Sequence, residues 1–183
     1  KTTINKRENT RKLDSNTIVE KNTKHINFKE NPAICNEYIK VVQDPMTNDI
    51  FRTMKQTIVL TKDNKKGFSI NVSEVNRAPF ISFKSLEDDC VKKYNHISVW
   101  LKDGTELTLS NVLEYNCEGK STVYFGERFN KFDKLEKLTK NQITKIRFNT
   151  FNDYLDFIEE NISEENSLML MTVLDCLYKG LPR

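Results

Sequence analysis

The chain has 183 residues, 37% hydrophobic and 30% charged, with a formal net charge of +3. That is enough apolar material for one domain with a core, and no stretch approaches the roughly 18 apolar residues of a membrane span. The charge is uneven: residues 1–30 hold eight Lys/Arg against four Asp/Glu, and the rest holds 21 against 22. Residues 1–30, rich in Lys, Thr and Asn without an apolar period, read as a flexible basic segment. Glu8, Asp14, Glu20 and Glu30 interrupt its charge, which argues against a dedicated arm for nucleic acid or anionic lipid. Lys at position 1 reads as a trimmed or mature form whose leader lies outside the sequence.

From Tyr38 the pattern changes, and residues 31–183 read as a single β-rich domain. Tyr38–Val42 predicts a short strand, and Asp44-Pro45-Met46-Thr47-Asn48-Asp49 supplies turn chemistry. Ile50–Thr61 is β-rich and Lys62–Gly67 a second turn. Phe68, Ile70 and Val72 alternate with Ser69, Asn71 and Ser73, the period of a half-buried strand. Asn76–Pro79 breaks it, and Phe80, Ile81, Phe83 and Leu86 predict the next strand. Glu118-Gly119-Lys120 reads as a turn before a strand at Thr122–Phe125. Phe129, Phe132, Leu135 and Leu138 recur every third residue, as in a short helix or 3₁₀ segment. Ile143, Ile146 and Phe148 read as a strand with a local irregularity, and Tyr154–Ile158 as one more strand.

The last element is a helix over about 162–179. Asn161 and Ser163 are both suitable N-caps, with Glu164 three residues after Asn161 as in a capping box. Glu159, Glu160, Glu164 and Glu165 crowd the positive end of its dipole. Leu168–Tyr178 is apolar nearly all round, so neighbours must cover it on more than one side. The expected fold is α+β and mainly β: an antiparallel sheet, as a sandwich or part-closed barrel, packed by a C-terminal helix.

The strongest local signal is a hairpin, Ile97 to Leu109, around Asp103-Gly104. A two-residue loop would set Trp100 opposite Leu107, and the apolar faces of the arms would disagree. A three-residue loop, Lys102-Asp103-Gly104, sets Ile97 opposite Leu109, Val99 opposite Leu107 and Leu101 opposite Thr105. One face is then apolar, and burial selects this register because a one-residue slip flips every side chain. Gly104 supplies the left-handed residue of a type I turn with a G1 bulge. The register sends Trp100 away from the Ile97/Val99/Leu101 face. There it is either covered by the terminal helix, the preferred expectation, or exposed as a binding anchor.

Facing residues in this hairpin sum to 206, so the continued ladder sets Cys90 opposite Asn116, one residue from Cys117. A bulge closes that gap, and the predicted bridges are Cys90–Cys117 and, by remainder, Cys35–Cys176. The alternative is four reduced thiols. Neither C-x-x-C spacing nor a ligand pattern with His25 or His96 points to zinc.

Other chemistry falls away. The five glycines are not clustered into a phosphate loop, and G-x-S-x-G is absent. His96, the one candidate base in the domain, reads as a structural strand-end residue. Glu87-Asp88-Asp89 lacks the alternation of a calcium loop. Lys120–Lys140 mixes cations with Tyr124, Phe125, Phe129 and Phe132, but Asp133 and Glu136 dilute it and an amphipathic helix explains it without nucleic acid. Asn71-Val-Ser73 and Asn161-Ile-Ser163 match glycosylation sequons.

Asp44-Pro45-Met46-Thr47, Asp103-Gly104-Thr105-Glu106-Leu107, Asn116-Cys117, Ile143-Thr144-Lys145-Ile146-Arg147-Phe148 and Cys176-Leu177 resemble the corresponding pieces of a loose group of uncharacterised exported proteins of Bacteroidota, often lipid-anchored. The likeness spans about residues 35–178. It implies export and a β-rich domain ending in a helix, and carries over no catalytic residue. The favoured expectation is a non-enzymatic module of the periplasm or cell surface that engages a protein or surface partner, without cofactor, metal or nucleic acid, behind an N-terminal lipid anchor. The alternative is a carrier of a small apolar ligand in a cavity lined by Phe68, Phe80, Phe83 and Val99.

Overall fold

The computed structural model describes residues 32–61, 66–76, 78–87, 89–150 and 156–179. The basic segment 1–30, and His25 with it, lies outside the described residues, as do 62–65 of the expected second turn, Arg77 of the expected break, Asp88, and Tyr154 and Leu155 of the expected last strand.

Apolar alternation builds ten strands and three helices among these residues. They run α1 (Pro32–Tyr38), β1 (Ile39–Gln43), β2 (Ile50–Met54), β3 (Ile58–Thr61), β4 (Gly67–Val75), β5 (Ala78–Ser85), β6 (His96–Leu101), β7 (Glu106–Ser110), β8 (Lys120–Tyr124), α2 (Phe132–Lys140), β9 (Ile143–Asn149), β10 (Phe157–Asn161) and α3 (Glu164–Lys179). One sheet has the order β1-β2-β4-β5-β8, with β3 also on β4, and the other the order β10-β9-β6-β7. Every strand pair is antiparallel. The fold is α+β and mainly β, with a C-terminal helix packed on the sheets.

The two sheets meet at three aromatic rings. Phe68 of β4 and Phe83 of β5 stand 5.8 and 6.1 Å from Phe148 of β9, and 6.1 Å from one another. α3 packs against α1 and α2 and against β4, β5 and β9, which is why Leu170, Val173, Leu174 and Leu177 are all buried. A helix apolar over most of its surface finds covers on several sides here.

Side-chain amides stitch one side of the sandwich. Asn130 is fully buried. Its Oδ1 accepts from the Ser110 N–H at 2.9 Å, and its Nδ2 donates to the carbonyls of Ser110 at 3.0 Å and Tyr124 at 3.2 Å. It thus joins β7 of one sheet to β8 of the other. Asn111 does the same work beside it, accepting from Thr122 N at 2.9 Å and Leu113 N at 3.0 Å. An orphaned buried backbone group carries its full desolvation penalty. Asn130→Ala is therefore expected to lower stability by about 2–3 kcal/mol, read from urea unfolding. A loss below about 0.5 kcal/mol would show that water replaces the amide.

The hairpin has the expected register: Ile97 faces Leu109, Val99 faces Leu107, and Leu101 N donates to Thr105 O at 2.8 Å. Gly104 sits at φ 87°, the left-handed residue the bulge needs. Beyond the strands the ladder shifts by one. Tyr94 adopts φ 65°, and Val91 pairs with Asn116. The shift brings Cys90 to Cys117, and the chain holds the bridges Cys90–Cys117 and Cys35–Cys176.

Several boundaries differ from expectation. Ile50–Thr61 is two strands, because Lys55-Gln56-Thr57 interrupts the partner of β4. Pro79 does not break the chain. It is the second residue of β5, opposite Glu74, a strand-start position where a missing N–H is tolerated. Phe125 falls just outside β8, and Phe129 outside α2. Asn161 is no cap: it ends β10 opposite Lys145, so α3 begins at Glu164 rather than 162. Ser163 caps it, its Oγ accepting from Asn166 N at 3.2 Å.

Candidate functional site

Strand alternation sorts β6, β9 and β10 into two faces. Ile97, Val99, Leu101, Ile146 and Phe148 point inward and are buried. Ser98, Trp100, Lys145, Arg147, Phe157 and Glu159 share the outer face. Pairing fixes their neighbours: Trp100 lies beside Lys145 and Glu106, Ser98 beside Arg147, and Arg147 beside Glu159.

Trp100 is the centre of this face. It is half-buried. α3 packs mainly against α1, α2, β4, β5 and β9, and Val99 and Leu101 fill the opposite, buried face of β6. Two cations of β9 lie over the indole. Lys145 Nζ stands 4.0 Å from the indole centroid and Arg147 Cζ 5.3 Å. Arg147 also lies 4.4 Å over the Phe157 ring, so its guanidinium sits between two aromatic faces.

Glu159 holds both cations in place. It accepts from Arg147 Nε at 2.8 Å, Arg147 Nη2 approaches at 2.7 Å, and Lys145 Nζ lies 3.3 Å away. Burial pushes its carboxyl upward, but the hydrogen bonds from Arg147 and Lys145 outweigh this and hold it below its ordinary 4.5. A depressed folded pKa means stability that is complete above the ordinary value and lost as pH falls through the folded one. Wild type is expected to exceed Glu159→Gln in stability at about pH 6, with the margin closing toward about pH 2.5. Paired thermal melts check this, and a margin that grows on acidification refutes the pairing.

The patch is electrically balanced: Lys145 and Arg147 stand against Glu159 and the exposed Glu106. It sets an aromatic ring and a guanidinium on strands, residue types enriched at protein interfaces. The expectation of Glu159 and Glu160 at the helix start is incorrect, because both belong to β10. Arg147, Lys145 and Phe157 were legible only as members of expected strands, with no face assigned.

The remaining candidates do not gather around Trp100. His96 is exposed and paired with Ser110. Asp89 accepts from Ser85 Oγ within a turn, and among the described residues no group of three acids, histidines or cysteines could hold a metal. Phe68, Phe83 and Val99 are buried, while Phe80 lies on the opposite face of β5, so the four do not line one space. Phe80 instead borders a surface depression of about 380 Å³ with Val75, Asn76, Ala78, Thr122 and Tyr124.

Among the described residues no helix is long and apolar enough to cross a membrane. The two disulfides suit an oxidising compartment. No family model matches the chain, and no curated protein or solved structure is similar to it.

Proposed function

We propose that the chain is a non-enzymatic interaction module of the periplasm or cell surface, related in kind to the exported Bacteroidota proteins it resembles and held by an N-terminal lipid anchor. It docks a protein or surface partner through the outer face of β6, β9 and β10. The observation that carries this reading is the stack of Phe157, Arg147, Trp100 and Lys145, fixed by Glu159 on strands rather than loops. A preformed aromatic–guanidinium face binds without the cost of ordering side chains. Its near-zero net charge suits a protein partner better than a polyanion. The disulfides support the compartment.

The test is proximity labelling in the native cell with wild type, Trp100→Ala and Arg147→Ala. Both variants are expected to fold, losing under about 1 kcal/mol. They are also expected to lose a defined neighbour that wild type labels from outside the cytoplasm. Identical labelling patterns for the three chains, or labelling of cytoplasmic proteins alone, would overturn the reading.

A further inference from the structure

The geometry points to a second binding surface on the opposite sheet: a shelf across β5 and β8 that takes an acidic glycan, a short oligosaccharide carrying uronic acid carboxylates.

The shelf is a graded ladder. β5 and β8 pair so that three facing couples share the outer face: Phe80 with Tyr124, Ser82 with Thr122, and Lys84 with Lys120. The two alternate couples, Ile81 with Val123 and Phe83 with Ser121, point inward and are buried. Successive couples lie two residues apart, about 7 Å, so the aromatic end stands about 14 Å from the cationic end. The depression of about 380 Å³ opens at the aromatic end. Phe129 meets Tyr124 edge-on, 6.3 Å between centroids at 89°, which fixes the tyrosine ring. Ser69 and Asn71 of β4 extend the polar floor, facing Lys84 and Ser82.

Each tier matches one part of such a ligand. The C–H face of a pyranose lies on an aromatic ring, its hydroxyls bond to Ser, Thr and Asn, and its carboxylate seeks ammonium groups. The cationic tier is otherwise a liability, because like charges directly opposed across two strands destabilise the pair. Glu118 pairs with Lys120. Its carboxyl is held below the usual range chiefly by Lys120, with a smaller contribution from Lys84. Lys120 already holds one carboxylate, with the Lys84 strand position directly opposite it, and a ligand's carboxylate can take the place of Glu118.

Two lysines do not make a nucleic-acid track. Each strand of a duplex brings a phosphate about every 3.4 Å along its axis, and the chain after residue 30 carries more acids than bases. A sparsely charged sugar chain fits this cation count.

The test is a titration of the whole chain, followed by amide NMR, with trigalacturonic acid, neutral maltotriose, a thymidine oligonucleotide and triglutamate. Trigalacturonate is expected to shift the amides of 80–84 and 120–124 saturably in the millimolar range or tighter. Tyr124→Ala and Lys84→Gln are each expected to weaken it about tenfold. Tyr124→Phe keeps the ring and binds as wild type, and Lys137→Ala, on α2, is the charge control. Should Tyr124→Ala fail to fold, the exposed Lys84→Gln carries the comparison. The proposal falls if no saturable shift appears, if maltotriose binds equally well, or if the oligonucleotide or triglutamate binds the shelf more tightly. Those outcomes leave the Trp100 face untouched, since it lies on the other sheet.

Discussion

Replacing Cys35 and Cys176 together by alanine is expected to remove about 5 kcal/mol of stability, the largest loss of any change considered. The bridge spans a sequence separation of 141, and closing a loop that long restricts the unfolded chain more than closing a short one. A domain's whole stability is of order 5–15 kcal/mol, so the variant approaches unfolding at ordinary temperature. The second bridge spans 27 and is worth about 3.5 kcal/mol by the same reasoning. Guanidinium melts of the two double variants decide the order. A milder effect for Cys35–Cys176 would show that α1, which packs on α3, holds the ends without the bond. Access adds a second ordering. Cys117 is exposed while Cys176 is buried, so graded reduction mapped by mass spectrometry is expected to open Cys90–Cys117 first.

Phe148→Ala is expected to cost about 3–5 kcal/mol. The ring is fully buried, and it is where β9 meets Phe68 and Phe83 of the facing sheet. Its removal leaves a cavity between two rigid layers that cannot both move in. Phe157→Ala offers the contrast. That ring lies on the outer face and is 45% exposed, so the cost stays under about 1 kcal/mol. Unfolding free energies for the two variants test whether the sandwich interior or its outer decoration carries the fold. Equal losses would contradict the assignment of faces.

Much of the architecture was legible because short-range rules act on it. The period-2 pattern of β4 reports a half-buried strand whatever surrounds it. The 97–109 hairpin has one register that agrees with burial, and Gly104 alone among its loop residues suits the left-handed position. From that register the cysteine ladder could be extended by arithmetic, up to a one-residue bulge at Tyr94.

What escaped has a common cause. Asn161 and Ser163 are equal as caps in a list of residues, and only the pairing of β10 with β9 removes Asn161 from the competition. Glu159 and Glu160 resemble helix-start acids until β10 claims them. Pro79 reads as a breaker because sequence shows its missing N–H without showing that a strand begins there. The amide stitches of Asn111 and Asn130 carry no local signature, since an asparagine in a turn looks the same whether its side chain meets water or another sheet.

Residue pattern alone determined the fold class, the hairpin register, the terminal helix and the outward aim of Trp100, because each depends on periodicity within a few neighbours. Tertiary structure alone decided what Trp100 meets. Lys145, Arg147, Glu159 and Phe157 lie more than 40 residues away along the chain, and only the pairing of β6 with β9 and of β9 with β10 places them around it. The shelf of Phe80, Tyr124, Lys84 and Lys120 has the same origin. Two strands far apart in the chain become neighbours only when the sheet forms, and the chemistry of such a face belongs to the pairing rather than to either strand.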